Sequence, residues 1–187
     1  MALSKIKSTS LETDATNLVL LNTVTTTDAT VSDIDFDSTY ITSTYDKYFY
    51  IGTVIPVNDT VDFRFRVFTG GTLQSGASDY GTGAYQDGGT DFNDNTMSNI
   101  EIQVSIGNNS SAGENATVFG YIHNPMSSTQ QTRMDFISQR GTNSSQHGLR
   151  MGGGQVNASE ANNGISFFFN SGNFASGSKI SLYGVKQ

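Results

Sequence analysis

Asn99-Ile100-Glu101-Ile102-Gln103-Val104-Ser105-Ile106 carries an apolar side chain at every even position and a polar one at every odd position. Successive side chains of an extended chain point to opposite faces, so this stretch lays its aliphatic groups on a core and turns the rest to water. Val61-Asp62-Phe63-Arg64-Phe65-Arg66-Val67 repeats the pattern, with Phe63 and Phe65 inward and Asp62, Arg64 and Arg66 outward. A helix would scatter either set around its axis, so both segments are predicted strands. Weaker alternation at 17–24, 31–36, 47–55, 116–123, 133–139, 164–170 and 179–185 brings the expectation to about nine strands.

Turn formers separate them, among them Thr26-Thr27-Asp28, Pro56-Val57-Asn58-Asp59, Gly107-Asn108-Asn109, Asn124-Pro125 and Asn170-Ser171-Gly172-Asn173. Each supplies a positive φ or a preset turn dihedral. Many short strands joined this way, with no helical apolar spacing, predict an all-β, two-sheet antiparallel sandwich. Residues 1–16 hold few large apolar groups and read as a short extended N-terminal arm, leaving 17–187 as the sandwich domain. Two stretches lack sustained alternation. Residues 70–97 and 139–160, rich in Gly, Ser and Asn, read as long excursions between strands and as candidate contact surfaces. Gly152-Gly153-Gly154 reads as a turn, since no helix follows it to make a dinucleotide fingerprint.

Composition narrows the function. Charged residues are only 14% of the 187, hydrophobic ones 35%, and the formal net charge is −7. Without a cluster of Lys and Arg to release counterions, nucleic acid is not an expected partner. No apolar run approaches the ~20 residues that span a bilayer, so no membrane partner is expected. The opening decapeptide has Lys5 and Lys7 but no apolar signal core behind them, and no secretory leader is expected. The absence of Cys removes disulfides and thiolate chemistry.

Candidate chemistry is sparse. His123 and His147 fall in no metal-binding or base-forming spacing. Asp87, Asp91, Asn93 and Asp94 offer hard oxygen ligands of the kind Ca²⁺ takes, in an order that departs from the EF-hand rule, so they form only a weak calcium candidate. There is no nucleophile elbow and no phosphate loop. The expectation is a protein with no catalytic residues and no cofactor. Tyr40, Tyr45, Tyr48, Tyr50, Tyr80 and Tyr85 suit either core filling or subunit interfaces, their rings being flat with a polar tip. Trp, the usual sugar-stacking platform, is absent.

Three segments carry a family likeness: the opening Met1-Ala2-Leu3-Ser4-Lys5-Ile6; the aromatic strand, Pro turn and Val61-Asp62-Phe63-Arg64-Phe65-Arg66 of residues 48–66; and the close, Ser171-Gly172-Asn173-Phe174-Ala175-Ser176-Gly177 running to Leu182-Tyr183-Gly184-Val185-Lys186. Together they resemble small structural proteins of marine and cyanobacterial tailed phages, with Val185 standing where Ile or Leu is commoner. The resemblance implies a jelly-roll-like sandwich on the exterior of a virion, either a head decoration (cement) subunit or a tail-fibre piece, and no catalytic residues. A fibre normally needs a heptad shaft, which this chain lacks, so head decoration is preferred. The expected partners are copies of itself, as a trimer, and the major capsid protein or other virion subunits. A glycan on the host surface is the alternative. Leu3 and Ile6 in the arm, with Tyr80, Tyr85 and Phe92 in the first excursion, are the expected partner-binding residues.

Overall fold

The structure is a computed structural model and describes residues 17–86, 91–109, 113–142 and 147–186. Among these residues there is no helix. Thirteen strands follow one another: β1 Leu18–Thr25, β2 Asp33–Phe36, β3 Lys47–Val54, β4 Val61–Thr69, β5 Thr72–Leu73, β6 Tyr80–Gln86, β7 Phe92–Met97, β8 Ile100–Ile106, β9 Ala116–His123, β10 Arg133–Gly141, β11 His147–Val156, β12 Asn162–Phe169 and β13 Lys179–Val185. They form the expected two-sheet antiparallel sandwich. One sheet has eight strands in the order β1-β13-β3-β9-β10-β11-β6-β7; the other runs β2-β12-β4-β5, with β8 also paired to β4.

The wrapping explains the order. With β5–β7 and β10–β11 set aside, the remaining strands split into β1-β13-β3-β9 and β2-β12-β4-β8, the double Greek key of a jelly roll. Of the two insertions, one between β4 and β8 and one between β9 and β12, strands β6, β7, β10 and β11 extend the first sheet beyond β9, while β5 stays on β4 in the second. In the first sheet the insertions pair with each other, β11 on β6.

Both expected excursions are therefore corrected. Residues 70–97 contain β5, β6 and β7, and residues 139–160 contain the end of β10 and all of β11. The reason is side-chain size. The outward positions of β6 include Gly81 and Gly83, and those of β11 include Gly153, so a strand is present where the apolar alternation that announces one is not. Gly152-Gly153-Gly154 lies in mid-strand and is not a turn.

The inward faces meet in an aromatic core. Phe63, Phe65, Phe167, Tyr48, Tyr50 and Phe36 are fully buried, and Phe63 stacks on Phe167 with centroids 5.7 Å apart. Burying one such ring contributes ~1.5–3 kcal/mol. The strict alternation expected of 99–106 fails partway. Ser105 has φ 52°, and the register with β4 shifts, so Gln103 turns inward and Val104 is left half-exposed. The buried Gln103 amide is satisfied by donating to the carbonyl and hydroxyl of Ser138.

Candidate functional site

The outward face of the eight-stranded sheet can be read row by row from its register. Ile51 lies opposite Phe119, Phe119 opposite Ile137, Ile137 opposite Met151, and Met151 opposite Tyr85. All five are exposed, so five neighbouring strands present one unbroken apolar row to solvent. The adjacent row begins the same way, with Leu20 opposite Tyr183, Tyr183 opposite Phe49, and Phe49 opposite Tyr121. The rings of Phe49, Tyr121 and Tyr183 pack side by side at 5.2 and 5.9 Å. Polar rows flank this band. On one side Lys47 lies opposite His123, His123 opposite Arg133, and Arg133 opposite Gln155; on the other, Thr53 lies opposite both Lys179 and Thr117. An apolar centre with a polar rim is the anatomy of a protein interface, and scattered single exposed residues are not.

Past Tyr121 the second row changes character. It continues through Asp135, Gly153, Gly83 and Asn93, where the loss of side chains opens a groove of about 460 Å³. Asn93 and Asn95 stand on one side of it, His123, Arg133 and Asp135 on the other, with Gln155 between. Asp135 is held in place: one carboxylate oxygen accepts the Tyr121 N–H at 2.7 Å and the other lies 3.2 Å from His123 Nε2.

A third polar group lies away from this face. Arg150, 2% exposed, contacts the Glu101 carboxylate at 2.8 Å, and Arg64 joins Glu101 to Asp62. Nearby, Arg140 donates to the Val104 carbonyl, and burial first and Arg150 second hold its guanidinium below the ordinary value. These contacts tie β11, β10, β8 and β4 together, which is a structural role.

The expected site residues separate. Tyr85 is 51% exposed and closes the apolar row. Phe92 is exposed too, but it pairs with inward-facing Ala84 and its ring lies 5.8 Å from the Arg150 guanidinium, off the apolar row. Tyr80 is a correction: it is 0% exposed, its hydroxyl accepts the Val67 N–H and donates to the Gln74 carbonyl, and it belongs to the core. Tyr48 and Tyr50 are buried likewise, while Tyr40 and Tyr45 pack partly exposed against the core. Leu3, Ile6 and Asp87 lie outside the described residues. Of the other calcium candidates, Asp94 accepts both the amide and the hydroxyl of Thr96, which hold its carboxyl below the usual range, and Asn93 faces the groove. No group of three His, Asp or Glu among the described residues is placed to hold a metal ion.

No protein-family model matches the chain, and no curated protein is similar to it in sequence. The face itself therefore carries the functional argument. Sequence reading missed Ile51, Phe119, Ile137 and Met151. The signal was present in Tyr48-Phe49-Tyr50-Ile51 and in Phe136-Ile137, where both faces of a strand are apolar and one core cannot use both.

Proposed function

We propose that the protein is a non-enzymatic structural subunit of a tailed-phage particle, a head decoration (cement) protein that associates with its own copies, as a trimer, and with the capsid exterior. The observation that carries this reading is the apolar row from Ile51 to Tyr85. A monomer rarely leaves so continuous a strip in water, whereas a subunit that buries it on assembly gains the transfer free energy of every side chain in it. The jelly-roll wrapping supports it by analogy, since capsid and lectin domains share that architecture, and the resemblance read in residues 48–66 and 171–186 is the ground for choosing a phage particle.

The test compares sedimentation of purified protein with emptied capsids and with host cells. The expected result is binding to capsids, with a solution mass of three 20.1 kDa chains by light scattering, and loss of both in a Phe119→Ser/Ile137→Ser variant. Binding to cells alone overturns the head placement in favour of a receptor-binding module at the tail. A monomeric wild type that ignores capsids overturns the structural role.

A further inference from the structure

The groove on β6 and β11 has a floor that the fold only partly requires. At Gly153 a Cβ would lie 2.8 Å from the Met134 carbonyl, so the backbone of β10 excludes any larger residue there. Gly83, directly opposite, is different. Its φ lies outside the left-handed region, and a Cβ built on it would meet nothing closer than the Phe92 carbonyl at 3.8 Å, an ordinary contact. A glycine in mid-strand gives up conformational entropy and packing, and where neither φ nor a neighbouring backbone asks for one, it marks a place that something else approaches closely.

What approaches is defined by the walls. The amides of Asn93, Asn95 and Gln155 offer donors and acceptors together, Arg133 takes part in none of the ion pairs found among the described residues, and the Asp135 carboxylate is fixed by Tyr121 and His123. A ligand matching this set carries many groups that each donate and accept, which is the chemistry of sugar hydroxyls. Its flat carbon face would lie on the glycine floor, with the His123 ring at the side.

Other classes fit less well. A peptide adding as a strand would pair along the outer edge of β7 and would not lie over the floor, since β6 and β11 are each paired on both sides. A nucleic acid or polyanion meets a chain of net charge −7 and, within the groove, one arginine offset by one aspartate.

The geometry points to a binding site for a neutral oligosaccharide in the groove floored by Gly83 and Gly153, a site that holds on either placement of the protein on a particle. Wild-type protein is titrated by NMR with maltotriose, cellotriose, chitotriose and raffinose, and with trigalacturonate as the charged arm. At least one neutral sugar should shift the amides of Gly81, Gly83 and Gly153 while leaving β2 and β12 unmoved. Gly83→Val should keep its fold and its capsid binding yet bind that sugar about tenfold more weakly or worse, because a side chain now fills the floor. Arg133→Ala and Asn95→Ala, whose side chains are exposed, should weaken it similarly and carry the test if Gly83→Val does not fold. Failure of every neutral sugar, binding of trigalacturonate alone, or undiminished binding in folded Gly83→Val overturns the inference. Capsid binding, read separately, then still reports on the assembly role.

Discussion

The Tyr50 hydroxyl donates a 3.0 Å hydrogen bond to the Asp135 carbonyl, reaching from β3 to β10 across the intervening β9 at Gly120. A Cβ on Gly120 would sit 1.9 Å from that carbonyl oxygen and 2.8 Å from the Tyr50 oxygen. The ladder between β9 and β10 is interrupted at this point: the Asp135 carbonyl serves Tyr50, and the Asp135 carboxylate takes over the Tyr121 N–H. Burial pushes the Tyr50 hydroxyl well up, so it remains a donor throughout the working range of a protein.

Gly120→Ala should therefore cost more than ~3 kcal/mol, since backbone must move to admit the methyl group. Tyr50→Phe should cost ~1–3 kcal/mol by stranding a buried carbonyl. Urea denaturation followed by fluorescence checks both, and a Gly120→Ala midpoint equal to wild type would refute the packing argument.

Glu101 and Arg150 give a second prediction. The Arg150 guanidinium is buried and its charge is met by Glu101, so Glu101→Ala should destabilise by ~3–5 kcal/mol through the uncompensated cation left behind. Adding Arg150→Met should recover most of the loss, because the second change removes the charge itself. A double variant no more stable than Glu101→Ala would mean the pair matters for packing and not for charge.

Asp35 gives the pH dependence. Burial by its surroundings raises its pKa above 3.8, against an opposing hydrogen bond from Ser166, and Asp33 and Asp37 add to the rise. The folded state thus holds the proton more tightly than the unfolded one. Its favourable contribution is complete below the ordinary value and is lost as pH rises through the raised one. Asp35→Asn should therefore raise Tm at neutral pH, with the gain disappearing in acid below the ordinary carboxylate range. Packed neighbours desolvate the carboxyl on one side while the residue stays exposed to solvent on the other, so screening keeps the gain under ~1 kcal/mol.

The fold was legible where side chains were large. Phe63, Phe65 and their alternation put β4 in the core as read, and the strands expected at 47–55 and 116–123 fall on β3 and β9. It was illegible where strands pair through small residues, because Gly81, Gly83 and Gly153 give the backbone ladder nothing for a hydropathy pattern to register. The same blindness hid the candidate site. The groove exists because those positions are glycine, and the apolar row exists only once register sets residues from five strands side by side. Sequence spacing carries no trace of that register beyond the doubly apolar runs.

Tyr80 and Tyr85 sit five residues apart on one strand, and composition alone treats them alike. Parity separates them: an odd offset places them on opposite faces, Tyr80 between the sheets and Tyr85 at the end of the apolar row. Tyr80→Phe should lose ~1–3 kcal/mol, since the Val67 amide and the Gln74 carbonyl both lose the buried hydroxyl that satisfies them. Tyr85→Ala should leave stability within about 0.5 kcal/mol of wild type while weakening self-association, a split that denaturation and light scattering on the same two variants resolve. If Tyr85→Ala unfolded the protein and left its solution mass unchanged, the outward row would be part of the fold and not a surface for assembly.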